Sequence, residues 1–284
     1  MGVCLSKLDA HQHFWRYSPV DHAWMTEAMG ALKHDFLPPQ LQPLLRVADF
    51  DGCVAVQASQ TLDETRWLLE LAEEYAFIRG VVGWVDLRSD AVDEELAEFA
   101  GNPKLVGVRH VVQDEPDDRF LMGAEFRRGI GRLADVGLAY DLLLYPKHLP
   151  VAVELVREFP EQRFVLDHIA KPRIADEVLS PWDDDLKRLA EFPNVACKLS
   201  GMVTEAKWSG WRREDFDPYL EQALEAFGAS RLMIGSDWPV CTLAADYAVA
   251  MGIVADFVGR LSVPERDGIL GGNCARVYGI EEIL

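Results

Sequence analysis

Positive charge is scarce in this 284-residue sequence: 28 lysines and arginines face 47 aspartates and glutamates, for a net charge of −19 at pH 7. Such a balance repels phosphate backbones and anionic lipid surfaces at long range, which argues against nucleic acid or a membrane as partner. Cysteine is sparse as well. There are five, Cys4, Cys53, Cys197, Cys241 and Cys274, an odd count with no CxxC. Neither a disulfide framework nor a zinc ribbon follows from that pattern. No apolar run reaches the length of a membrane span. The opening residues lack the basic stretch and apolar run of a secretion signal, so a cytoplasmic, reducing compartment is expected. Met1-Gly2 through Ser6 fits the loose myristoylation pattern, but the first strand candidate follows at once and leaves almost no tether.

What the chain has in quantity is apolar matter, 49% of its residues, in short runs. Eight runs stand out, at 8–15, 53–59, 78–87, 105–112, 138–144, 163–170, 194–201 and 231–240. They are continuous rather than alternating, as strands buried on both faces should be. Amphipathic segments alternate with them, at 63–76, 90–101, 117–137, 149–160, 180–193, 215–228, 244–261 and 263–279. Ser180-Pro181 reads as N-cap and first helical residue, and Ser262 or Val263 as the entry to the last helix. Eight strands alternating with helices predict an α/β fold, a closed (β/α)8 TIM barrel, as one domain over 1–284. The interval 16–52 holds Pro19, Pro38, Pro39 and Pro43 and reads as an irregular excursion with a short helix.

At least one polar residue or a tryptophan recurs near the end of each run: His11 and His13, Gln57, Trp84 or Asp86, Arg109 or His110, Asp141, Asp167 or His168, Lys198 or Ser200, and Ser236 or Asp237. Buried singly and unpaired, each neutral group would cost about 2–7 kcal/mol. A shared polar cavity at the C-terminal ends of the strands explains them together. On a strand, residues i and i+2 share a face, so His11 and His13 should point together into the barrel mouth. Two imidazoles so placed can ligate a metal or stabilise an oxyanion. His168 completes a three-histidine cluster. Asp167, its neighbour, is expected on the other face, bonding backbone or orienting a nearby group. Asp237 closes the eighth run next to the histidine pair, where it can ligate a metal or take a proton from water. Pro239 is expected to stop that strand and fix where Asp237 points. Arg109, His110, Lys198, Asp141 and Gln57 are candidate substrate contacts, with buried salt bridges the competing reading for Arg109, Lys198 and Asp141. Trp15, Trp84 and Trp238 are candidates to stack on a sugar ring. Cys197 and Cys241 have no local base, which excludes them as nucleophiles.

The segments DAHQHFW, VGVRH, VLDHIAKP, CKLSG followed by Thr204-Glu205-Ala206, and IGSDWPV closely resemble the amidohydrolase-related family of sugar lactonases. That group includes L-fuconolactone and L-rhamnonolactone hydrolases and 2-pyrone-4,6-dicarboxylate lactonase. The resemblance covers essentially the whole chain. It implies a distorted (β/α)8 barrel in which His11, His13 and His168 surround a lactone carbonyl oxygen or a single metal ion. It implies that Asp237 activates the hydrolytic water. The bridging lysine of binuclear relatives has no counterpart in the fourth run, so a two-metal centre is not expected. One divalent ion, zinc for example, or none are the two options, with Asp237 the fourth ligand beside the histidines in the first. The expected reaction is opening of a small aldonolactone, such as L-fuconolactone. The competing readings are a metal-dependent decarboxylase of the same superfamily and a non-catalytic sugar-acid-binding barrel. Such barrels often pair, so a homo-oligomer fits equally.

Overall fold

The computed structural model describes residues 6–99 and 101–281; Gly2, Cys4 and all of the lipidation pattern but Ser6 lie outside them. Eight parallel strands follow one another in sequence order: β1 (Leu8–Gln12), β2 (Gly52–Val56), β3 (Ile78–Gly83), β4 (Leu105–His110), β5 (Ala139–Leu142), β6 (Phe164–Leu166), β7 (Val195–Leu199) and β8 (Leu232–Ile234). Each expected run holds one strand, so the (β/α)8 expectation stands. The seam between β8 and β1 is closed by a bridge of Gln12 to Trp238 and by two bonds, Asp237 N–H to His11 O at 2.8 Å and His13 N–H to Trp238 O at 2.7 Å.

Alternation sorts the side chains into two cores. One row, including Val54, Val56, Val82, Val165 and Met233, fills the lower barrel interior. The opposite row, including Cys53, Ala55, Tyr140, Leu142, Leu166 and Leu199, packs beneath the helices. The helices are α1 (Pro38–Val47), α2 (Leu62–Glu74), α3 (Val92–Phe99), α4 (Ala124–Leu133), α5 (Leu149–Glu158), α6 (Trp182–Ala190), α7 (Met202–Glu205), α8 (Asp217–Phe227), α9 (Tyr247–Val258), α10 (Val263–Asp267) and α11 (Asn273–Tyr278). Thr61 caps α2 by accepting from Glu64 N–H at 3.1 Å, satisfying one orphan donor of the first turn. Among the described residues, no helix is long and apolar enough to cross a membrane.

Three expectations need correction. The segment 117–137 is a 3-10 turn at Phe120–Met122 followed by the shorter α4, because Gly123 breaks the run. Helix α6 starts at Trp182 with Pro181 as its N-cap, so Ser180 does not cap it. The segment 263–279 splits into α10, one wide turn at Gly268–Gly272, and α11. Gly271 sits where a Cβ would lie 1.9 Å from Ser6 O, so only glycine lets that turn press against the start of β1. Beyond the turn, Cys274, Ala275, Val277 and Tyr278 plug the N-terminal end of the barrel. Arg163 ties that plug to the start of β6 through Val277 O at 2.9 Å.

Candidate active site

Above the apolar interior, at the other end of the barrel, a cavity of about 280 Å³ opens among the loops that follow the strands. It lies at the lower end of small-molecule sites, which start near ~300 Å³. His13, His168, Asp237 and Arg109 are in its wall. Nε2 of His11 lies 3.2 Å from Nε2 of His13, while Asp237 Oδ1 lies 3.3 Å from His13 Nε2, 3.8 Å from His11 Nε2 and 3.9 Å from His168 Nε2. Three imidazoles and one carboxylate therefore converge on one point.

Backbone irregularities do the aiming. Between β1 and β2 the register slips, with Asp9 opposite Cys53 but Gln12 opposite Ala55. The slip is a bulge that turns Ala10 and His11 inward together, a device bulges commonly serve beside active sites. Strand β6 ends at Leu166, and His168, Ile169, Ala170 and Lys171 all take positive φ, from 47° to 59°. Asp167 follows Val165 inward by alternation, and the left-handed turn brings His168 inward as well. The expected opposite facing of these two residues is thus overturned. Strand β8 likewise ends at Ile234, well before Pro239, so the proline does not stop it. Asp237 owes its direction to its own φ of 57° and to a clasp below it. In that clasp Asp9 accepts from Ser236 N–H at 2.9 Å, Ser236 Oγ at 2.6 Å and Tyr247 Oη at 3.1 Å. Burial pushes the Asp9 carboxyl up to about 6, against the pull of these donors.

Each imidazole is held from behind. His13 Nδ1 donates to Val56 O at 2.8 Å, a partner without protons. His168 Nδ1 meets Ser200 Oγ at 2.9 Å. Nδ1 of His11 lies 3.2 Å from Asp167 Oδ1. Burial drives His11 well below the ordinary histidine range and His168 down to about 4, outweighing the nearby carboxylates, so both are neutral near pH 7. Asp237 is opposed by burial too, but His168, His13 and His11 hold it well below the ordinary carboxylate range. Neutral imidazoles beside an ionised carboxylate are the donor set a divalent cation takes. The spacing agrees, since tetrahedral ligands about 2.0–2.1 Å from zinc lie roughly 3.3 Å apart. His11, His13 and Asp237 each offer an atom within 4.8 Å of the others, as do His11, Asp167 and His168. In the second group Asp167 is already engaged by Arg109 at 3.0 Å and Lys198 at 3.0 Å.

Of the other expected contacts, Trp15 and Arg109 face the cavity, whereas Gln57, Trp84, His110, Asp141 and Lys198 do not line it. His110 follows Arg109 on β4 and so points outward, stacked on Phe120 at 4.7 Å and paired with Glu115 at 2.6 Å. Trp84 donates to His110 Nδ1 at 3.3 Å. Gln57 is spent on Arg109, 2.6 Å from Oε1, and on Ser59 O at 3.0 Å. Asp141 and Lys198 form a buried ion pair at 2.6 Å, the competing reading for both. Trp238 packs edge-on against Phe36 at 5.3 Å and offers no stacking face to the cavity. Sequence reasoning missed Lys171, Thr204, Glu205 and Trp208, with Trp24, Met29, Asp114 and Tyr145. Lys171 and Thr204-Glu205 sit in the segments that carry the family resemblance, and their place just past β6 and β7 was the available signal.

Gly201 shows how tightly His168 is held. Its φ is 63°, and a Cβ there would lie 2.5 Å from His168 Nδ1. We expect Gly201→Ala to cost about 1–3 kcal/mol of backbone strain and to lower kcat on the order of 100-fold by shifting the ring about an ångström. Thermal melting and steady-state kinetics check this; a variant with parental kcat would mean that His168 has room to yield.

The amidohydrolase family model matches residues 8–280. An L-fucono-1,5-lactonase of Burkholderia multivorans is 44% identical over 97% of each chain. Another of the same name from Burkholderia ambifaria is 38% identical over 97% of this chain and 96% of its own. A crystal structure of a Burkholderia multivorans amidohydrolase with bound zinc superposes with a TM-score of 0.93 at 43% identity, over 97% of this chain and all of that one.

Proposed function

The chain belongs to the amidohydrolase family, and from that premise we propose that it is a lactonase that opens a sugar lactone, an aldonolactone of the L-fuconolactone type. The convergence of His13, His168 and Asp237 in the cavity wall, with the fully buried His11 directly behind them, carries this reading. The curated L-fucono-1,5-lactonases support it, at 44% and 38% identity. The walls support it further. Lys171, Glu205, Gln113 and Asp114 offer polar contacts for ring hydroxyls, and Met29, Val240 and Leu243 form an apolar corner suited to the methyl of a 6-deoxy sugar.

In this mechanism Asp237 receives a proton from water as that water attacks the lactone carbonyl carbon. The carbonyl oxygen takes up negative charge beside the Arg109 guanidinium. Collapse of the tetrahedral intermediate breaks the ring C–O bond, and Asp237 returns its proton to the leaving oxygen. The hydroxy acid then ionises and acidifies the medium. His11, His13 and Asp237 would hold one divalent ion, with His168 beside them 3.9 Å from Asp237 Oδ1 as the fourth donor, and zinc is the natural candidate given the zinc-bound relative. Such an ion, when bound, polarises the carbonyl and lowers the pKa of water. Arg109, 3.3 Å from His11 Nε2, adds fixed positive charge to the same oxyanion region.

Purified protein screened against aldonolactones with a pH indicator tests the proposal, with and without chelator. We expect acid release from a 6-deoxy-1,5-lactone, faster than from its hydroxymethyl counterpart, and loss of activity on chelation that zinc restores. Release of carbon dioxide from an aromatic acid, with no lactone opened, would overturn it in favour of a decarboxylase.

A further inference from the structure

Beneath the cavity floor lies a layer of charge that lactone opening does not touch. Lys198 Nζ, fully buried, lies 2.6 Å from Asp141 Oδ2, 3.0 Å from Asp167 Oδ1 and 3.2 Å from His11 Nδ1. The Tyr278 hydroxyl lies 2.7 and 2.9 Å from the two oxygens of Asp141. Tyr278 belongs to α11, the plug at the far end of the barrel. A continuous polar path thus runs from the C-terminal helix, through the barrel interior, to the back of one catalytic histidine. The layer is neutral once Arg109, which reaches Asp167 from the cavity wall, is counted with Lys198 against Asp141 and Asp167.

Stability alone is a poor reason for such a path, because well-packed apolar residues often serve a core equally well. The geometry at His11 supplies a better one. An ammonium offers only protons and a carboxylate only lone pairs; both lie 3.2 Å from Nδ1, where the ammonium has hydrogen-bond geometry and Asp167 Oδ1 is left buried without a hydrogen bond. One nitrogen cannot answer both. The one it answers decides whether Nε2 presents a proton or a lone pair to the reacting atoms, and an imidazole held in the wrong tautomer loses its function even when correctly placed.

We propose that Tyr278, Asp141 and Lys198 are positioning residues for the reaction: through Lys198 they fix the ring of His11 and the nitrogen that bears its proton. The proposal rests on the lactonase reading for its kinetic arm only. Tyr278→Phe removes one hydroxyl and keeps the ring that packs the plug. The double variant Asp141→Asn with Lys198→Met removes the link to His11 while preserving charge balance, which Lys198→Met alone would not. We expect kcat to fall ~10-fold in Tyr278→Phe and up to ~100-fold in the double variant, the range for groups behind a metal ligand, with KM near the parental value. The ¹⁵N resonances of the His11 imidazole should shift in both, and zinc affinity in chelator competition should change with them. Parental resonances in the two folded variants would overturn the proposal. So would a double variant whose kcat returns together with its melting temperature, since the layer would then serve stability alone. A parent that opens no lactone, yet shows the resonance shifts, would sink the lactonase reading and leave the positioning role standing.

Discussion

Asp237→Asn should fall in kcat by about 100- to 10,000-fold, the range associated with a positioned acid–base group, while remaining folded and still binding a metal. Asparagine matches aspartate in shape and keeps an oxygen to face His13. It also tolerates the left-handed backbone found at this position, where φ is 57°. Alanine would add backbone strain and confuse the two effects. What asparagine cannot do is accept a proton from water at neutral pH. Zinc stoichiometry measured beside kcat separates ligation from base catalysis: retained metal with lost turnover assigns the proton transfer to Asp237. Near-parental turnover in a folded variant would remove Asp237 from that role.

The pH profile of the parent enzyme follows from the same group. His168, His13 and His11 hold Asp237 below the ordinary carboxylate range in spite of burial. A base is competent when deprotonated, so a depressed pKa extends its working range toward acid. Activity should therefore not decline between pH 7 and about pH 5 through protonation of this carboxylate. An acid limb in kcat/KM centred within that window, and absent from the asparagine variant's residual activity, would contradict the charge environment described.

The barrel was legible in the sequence because its signals are local and repeated. Each strand lies in or within one residue of one apolar run, and runs such as CVAVQAS and LVGVRHVV are rich in β-branched and apolar residues. The depth of polar residues inside the barrel was not legible. Lys198 and Asp141 interrupt their runs as a cavity residue would, but one layer lower, and the partner that explains Asp141 is Tyr278, 137 residues away. Side was misread where alternation broke. Asp167 and His168 both face inward because a left-handed turn, which no periodicity announces, follows β6 directly. His110 and Arg109 are both candidates by position, but adjacent strand residues face opposite ways, and only Arg109 reaches the cavity. The pair His11 and His13 fits a simple i, i+2 argument, yet it needs a bulge to bring Ala10 and His11 inward together. Lys171, Glu205 and Trp208 escaped notice because loop residues carry no period at all.

Arg109→Met should destabilise the fold by about 3–5 kcal/mol, the cost of breaking one side of a buried ion pair. Arg109 is 4% exposed, and its guanidinium lies 3.0 Å from Asp167 Oδ2, 2.5 Å from Gln57 O and 2.6 Å from Gln57 Oε1. Methionine fills most of the volume but answers none of these acceptors. Asp167 keeps Lys198 but loses its second cation, and the two Gln57 oxygens face an apolar chain. For a protein of this size each kcal/mol moves the melting temperature by roughly 2–4 °C, so calorimetry should record a fall of about 10 °C. Arg66→Met is the matched control. Its ion pair with Glu98 is shorter than that of Arg109 with Asp167, 2.6 against 3.0 Å, but both side chains are 42% exposed, and water restores what the variant loses. If both substitutions lowered the melting temperature equally, burial would not be what gives the interior layer its weight. The asymmetry also explains where the activity of Arg109→Met should go. With Asp167 released from one side, the carboxylate can turn from Nδ1 of His11, and turnover should fall even below the new melting temperature. A folded Arg109→Met with parental kcat would show that Asp167 and His11 keep their places without the guanidinium.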